Sequence, residues 1–437
     1  MTRFAYLRRT PAFRAGLGRL GIAGSAFLAF AQMACTAGIK ATPTGSSGST
    51  GSGSAGTTGA AGVTGSAGTG LSGTTGTAAT GGTTPPDGGC QQYDVKFVPK
   101  TPTVFVLVDR SGSEFDSPTT GTFFNLRGAV LQVLQQLKDA NANIRLGFGA
   151  FVGDHASGAC KPVLDTVPID LIANSYDAIS AKYTALGPLQ PYGSKSDTPA
   201  SAVIPMVQAA LQSDTGNGQK YMLFVTDSES DFCDDGSAVC PADAVTYELQ
   251  GMFTAGIGTL VVGLPSPISG ISTTVLQNFA NAGAGQPVVL PSGVPTPTDV
   301  YYQCTGAGNG QWMSLYTAAG RTMAPLAMYS TTAGTASVYS PGSTSQSALA
   351  TQIAAALADV KSCTFDLGGH IKVSLDKLNK ASVMVNGSTV PLDAANKNGW
   401  DMTSDTVLEL FGPACDMWRD PSVNEIKFNF PCDIIST

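Results

Sequence analysis

Asp109, Ser111 and Ser113 stand at alternate positions along the chain, with Gly112 between the two serines. Three oxygen side chains on one turn can converge on a single hard cation, which takes carboxylate and hydroxyl oxygens rather than thiolate or imidazole. Gly112 lets the backbone turn tightly enough for that. Two more oxygen donors stand later in the chain: Thr198, within Ser196-Asp-Thr-Pro-Ala200, and Asp227, which closes Tyr221-Met-Leu-Phe-Val-Thr-Asp227. Ser113 or Thr198 taken singly would read as an ordinary helix or turn cap. The five together read as a cation site.

The flanking residues say which elements must carry this set. Val104–Val108 and Tyr221–Val225 are continuous apolar runs, the signature of strands buried on both faces of a parallel sheet. Ligands of open α/β sheets bind beyond the C-terminal ends of such strands, where Asp109 and Asp227 fall. Asp-x-Ser-x-Ser after an apolar strand, followed by a threonine loop and a distal aspartate in that order, resembles the metal-ion-dependent adhesion site of von Willebrand factor A-type (vWA) domains. The resemblance covers about residues 100–361. It implies direct hydroxyl ligation by Ser111, Ser113 and Thr198, with Asp109 and Asp227 bound directly or through water. The cation it implies is Mg2+ or Mn2+, with Ca2+ as the alternative, and an Asp or Glu of a protein ligand completes its coordination. It points to a binding module rather than an enzyme.

Other chemistries find less support. No histidine base lies near the motif, and the chain has neither a nucleophile elbow in a strand–turn–helix context nor a Walker loop. A metal-dependent hydrolase is the rival class, and a surface protein whose cation only stabilises the fold is a third. A nucleic-acid partner is excluded by a net charge of −7 and a pI near 4.8, which supply no basic face. The acids after Asp227 could form an auxiliary site through Glu229 and Asp231, although the order of an EF-hand is absent and a solvated rim is the plainer reading. Zinc would need paired Cys or His signatures, and His155 and His370 are the only histidines.

Strand and helix patterns alternate across the middle of the chain. Helices are predicted over 124–138, 175–186, 199–212, 242–255, 273–282 and 347–361, and strands over 143–151, 257–264 and 287–290. This predicts an α/β fold: a doubly wound, mostly parallel, Rossmann-like sheet of vWA type. Residues 291–345, rich in Pro, Gly, Ser and Thr, read as a long loop insertion, its aromatics Tyr301, Tyr302, Trp312 and Tyr316 packing locally. Beyond Cys363 the period changes to two, with Asn386-Gly387 as a hairpin turn, which predicts a small all-β C-terminal extension.

Residues 1–34 read as an export signal, with five arginines ahead of the apolar stretch Leu20–Ala31. Gln32-Met-Ala-Cys35 resembles a lipobox, so Cys35 is the candidate lipidation site; Ala29-Phe-Ala31 would serve ordinary signal peptidase instead. Of nine cysteines, lipidation of Cys35 leaves eight, an even number suited to disulfides in an oxidising compartment. Residues 35–89, almost wholly Gly, Ser, Thr and Ala, read as a flexible tether. A coil of about 55 residues reaches roughly 40 Å root-mean-square. Glycines recur every third residue from Gly53 to Gly68, but without proline and with a slipping register, so a linker fits better than a triple helix. The vWA domain is then assigned to 90–361 and the β extension to 362–437. Tether, vWA motifs and late cysteines together resemble tethered bacterial vWA lipoproteins, which implies a cell-envelope location with a membrane contact through lipid only. Cys233 and Cys240 bracket a short loop at the cation edge and are the candidates for a local disulfide; the other cysteines pair in no order the sequence decides.

Overall fold

The computed structural model describes residues 77–80, 93–98, 100–114, 119–154, 161–189, 197–227, 230–231, 237–265, 273–367, 372–420, 422–423 and 425–436. All belong to the unit Gly65–Thr437; the unit Met1–Thr64 lies outside the described residues, and so do Cys35, Cys90, Cys160, Cys233, Glu229, His155 and His370. The signal peptide and most of the tether fall there as well.

Two strands precede the α/β part, β1 (Thr77–Thr80) and β2 (Tyr93–Val98). There follow β3 (Thr103–Asp109), α1 (Thr122–Asp139), β4 (Arg145–Asp154), β5 (Lys161–Leu171), α2 (Ile172–Ala185), α3 (Ala200–Ser213) and β6 (Lys220–Thr226). The second half runs α4 (Val239–Thr254), β7 (Ile257–Gly263), α5 (Thr273–Gly283), α6 (Pro297–Thr305), α7 (Gly310–Ala318), β8 (Val338–Tyr339) and α8 (Gln346–Ala358). The sheet order is β5-β4-β3-β6-β7-β8, parallel except for the antiparallel edge strand β5. This is the doubly wound, Rossmann-like layout that the vWA resemblance implies.

The apolar run of β3 explains itself in this sheet. Val104, Val106 and Val108 face a core shared with α1, α2 and α8, while Phe105 and Leu107 face a second core with α3, α4 and α5. All five are at most 2 % exposed, and burial of such side chains stabilises by about 1.5–3 kcal/mol each before entropy is counted. This fully buried strand ends at Asp109.

Two expectations are corrected, and one strand is added. The strand predicted at 287–290 forms only a single bridge, Val288 to Tyr329, and the sheet is completed by Val338–Tyr339. Edge strand β5 went unrecognised because its two prolines and half-exposed faces break the apolar pattern. Residues 291–345 are no structureless loop: α6 opens with a capping box between Thr296 and Asp299, and α7 buries Trp312 and Tyr316 against α4. This subdomain is pinned through Asp243 of α4, which accepts hydrogen bonds from the Tyr316 and Tyr329 hydroxyls and from the Leu326 and Ala327 amides.

The C-terminal part comprises β9 (Thr364–Asp366), β10 (Lys372–Val373), β11 (Ser382–Val385), β12 (Ser388–Val390), β13 (Gly399–Met402), β14 (Val407–Phe411), the short helix α9 (Pro413–Arg419), β15 (Ile426–Phe430) and β16 (Ile435–Ser436). Its strands pair antiparallel, with Asn386 and Gly387 both at positive φ in the β11–β12 turn, as the hairpin signal requires. It is not purely β, since α9 buries Trp418 in its core. Nor is it built from C-terminal residues alone: β2 pairs with β15, and β1, within the segment read as tether, pairs with β2.

Two disulfides join described residues, Cys240–Cys304 and Cys363–Cys415. The local Cys233–Cys240 bridge is thereby overturned. Cys240 lies in the first turn of α4, where α6 packs, and it is spent on Cys304.

Candidate metal centre

Asp109 is the last residue of β3 and Asp227 follows the last residue of the adjacent parallel strand β6, so the two carboxylates stand at one edge of the sheet. Both are fully buried. The turn after β3 is held by Asp109 itself: its Oδ1 accepts the Ser111 amide at 2.8 Å, and its Oδ2 accepts the Thr226 hydroxyl at 3.1 Å. A 3-10 turn over Gly112–Glu114 then brings Ser113 Oγ to 2.8 Å from Ser111 Oγ. Asp109, Ser111 and Ser113 therefore form one connected set of oxygens, as alternate positions on a tight turn predict.

Thr198 reaches the same edge by a different route. Asp197 forms a bridge to Gly153 near the end of β4, and the Gly153 amide donates to Asp197 O at 2.7 Å. Glycine is required there, because a Cβ at 153 would lie 2.7 Å from Asp197 Cβ. Thr198 is 2 % exposed and precedes Pro199 and α3. Its amide donates to Asp231 Oδ1, and the Asp231 amide donates back to Thr198 O at 3.2 Å. Asp231, expected from sequence as half of an auxiliary acidic site, is thus engaged with the Thr198 backbone; its expected companion Glu229 lies outside the described residues.

Arg110, between Asp109 and Ser111, is a participant that the sequence did not signal. Its Nε donates to Gly187 O at 3.0 Å and its guanidinium pairs with Asp165 of β5 at 3.2 Å, tying the turn after β3 to the segment that leads towards Thr198. Thr226 also went unassigned, although it stands beside Asp227 in the sequence.

The electrostatics of the edge follow from burial. Desolvation, and then the neighbouring Asp227 carboxylate, push the Asp109 carboxyl well above the usual carboxylate range, against hydrogen bonds from Ser111 and Thr226 that lower it. Two acids held together in a dry site favour a bound cation or a proton. Among the described residues no group of three or more His, Cys, Asp and Glu side chains is gathered to hold a metal. The set here is two carboxylates with hydroxyls, a donor chemistry that fits a hard divalent cation.

A strand-terminal Asp-x-Ser-x-Ser turn on this six-stranded, mostly parallel sheet is the arrangement that the vWA resemblance implies. No protein-family model and no curated protein matches the chain. Solved structures that it resembles include the pilus adhesin SpaC from Lactobacillus rhamnosus GG, at 13 % identity and TM-score 0.38 over 80 % of this chain and 42 % of SpaC. They also include the vWF domain of the type V pili tip protein Mfa5 from Porphyromonas gingivalis, at 10 % identity and TM-score 0.30 over 43 % of this chain and 87 % of that one. A third is the manganese-loaded TRAP protein of Plasmodium vivax, at 17 % identity and TM-score 0.30 over 44 % of this chain and 67 % of that one. The chain spans under half the length of SpaC. Likenesses of this size carry no argument about function, which rests on the site.

Proposed function

We propose that this protein is an exported, surface-tethered vWA module that binds a protein ligand through a divalent cation. The observation that carries the reading is the pair of fully buried carboxylates, Asp109 and Asp227, set beside the connected hydroxyls of Ser111 and Ser113. Ser111, Ser113 and Thr198 would hold the cation with Asp109 and Asp227 balancing its charge, and Mg2+ or Mn2+ suits that oxygen set best. When bound, the cation supplies an electrophilic point for a carboxylate from a partner's Asp or Glu. Export is supported by the two disulfides, which persist in oxidising compartments. No helix among the described residues is long and apolar enough to cross a membrane, and the proposed membrane contact is a lipid on Cys35.

The test is a calorimetric titration of Mn2+ and Mg2+ into the full chain and its Asp109→Ala variant. Saturable binding lost in the variant is expected; a folded wild type that binds neither ion overturns the reading. The ligand half is read by panning a displayed peptide library in Mn2+ and in EDTA. Retention only in Mn2+, by peptides carrying Asp or Glu, is expected, and equal retention in EDTA refutes it.

A further inference from the structure

We propose that Asp231 is a positioning residue for Thr198, acting by hydrogen bonding rather than as a ligand of an auxiliary cation. The inference rests on the cation site proposed above and adds to it the device that places Thr198. Thr198 belongs to neither β4 nor α3. Pro199 follows it, brings no N–H, and gives α3 no side-chain cap. Locally, Pro199 restricts the Thr198 backbone and the Ala200 amide donates to Thr198 O at 2.7 Å, while the Thr198 N–H is held by another segment. Gly153 holds Asp197 on one side. On the other, the Asp231 carboxylate takes the Thr198 N–H while the Asp231 N–H returns to Thr198 O, a reciprocal two-point bracket between the loop after β6 and the loop before α3. Since Asp227 lies four residues before Asp231, the bracket links the loop of one proposed ligand to the backbone of another.

An acceptor for an N–H need not be charged, and this separates the two roles of Asp231. An Asn there can still accept from the Thr198 amide, whereas a cation ligand would lose its charge. Changes to groups that orient metal ligands typically weaken metal binding by roughly 10- to 100-fold. In the full chain, Asp231→Ala is expected to weaken Mn2+ binding by about tenfold or more, in line with that range. Asp231→Asn should stay within about twofold of wild type on the same argument that neutral acceptors suffice. Thr198→Ala combined with Asp231→Ala should bind no more weakly than Thr198→Ala alone. A second readout needs no metal: hydrogen exchange at the Thr198 amide should accelerate in Asp231→Ala and stay protected in Asp231→Asn.

Wild-type-like Mn2+ affinity in Asp231→Ala overturns the inference. So does an Asp231→Asn variant as impaired as the alanine, which would make charge the operative property. If the wild type binds no Mn2+, the cation reading falls, and the exchange measurement then decides whether the bracket exists by itself.

Discussion

Replacing Asp243 with alanine should loosen the subdomain of α6 and α7 without touching the cation edge. The carboxylate accepts from the Leu326 amide at 2.9 Å, the Ala327 amide at 3.0 Å, the Tyr329 hydroxyl at 2.8 Å and the Tyr316 hydroxyl, and it is fully buried. The hydroxyls can rotate towards other partners, but the two amides are fixed by the chain. Each buried donor left without an acceptor costs about 1–3 kcal/mol, so the amides alone give about 2–6 kcal/mol. Burial also pushes the Asp243 carboxyl above its usual range, so its ionised form carries a desolvation penalty that alanine removes. The net loss then falls near the lower half, about 3 kcal/mol. For a domain of about 250 residues that corresponds to a Tm lower by about 6–12 °C. Thermal unfolding gives the total, and hydrogen exchange over 320–330 locates it. Tyr316→Phe, which leaves three donors on the carboxylate, should cost only about 1 kcal/mol. An alanine variant within a degree of wild type, with protection at 326 and 327 unchanged, would refute the assignment of Asp243 as the pin of this subdomain.

The remaining expectations concern pH and the covalent staple. Burial alone raises the Glu248 carboxyl from 4.5 to about 7. A carboxyl raised on folding contributes stability that is present below its unfolded value and is lost as pH rises through its folded value. Glu248→Gln should therefore match wild type at pH 4 and exceed it at pH 8, by about 1 kcal/mol once partial exposure is discounted; equal stability of the two proteins at pH 8 would contradict this. Cys240 and Cys304 are 64 residues apart, and a loop of that length is worth about 4 kcal/mol in the chain-entropy account. Cys240→Ala with Cys304→Ala should lose stability of that order under non-reducing conditions, and a loss below about 1 kcal/mol would show that packing around Trp312 suffices.

The legible parts of this protein are those in which neighbours in sequence are neighbours in space. Val104–Val108 announced a strand buried on both faces, because both faces of β3 meet apolar cores and every side chain must be apolar. The turn Asp109–Ser113 was equally legible, since its hydrogen bonds span only two residues. Asn386-Gly387 declared its hairpin through backbone conformations that few other residues adopt. Strand β5 was hidden because an edge strand with prolines shows no apolar period, and α6 and α7 because their Pro- and Gly-rich surroundings resemble loop.

By itself the sequence determined the α/β class, the order of the candidate ligands and the residue types that select a hard cation, all of which follow from local pattern and donor chemistry. Tertiary structure alone decided what depends on long-range closure. Cys240 bonds to Cys304 rather than to Cys233, because helix packing brings those two thiols together. Strand β2 completes the C-terminal sheet through its register with β15, which no local pattern encodes. The reciprocal hydrogen bonds between Asp231 and the Thr198 backbone belong to the same group, since only the folded chain brings residues 33 apart within hydrogen-bonding reach.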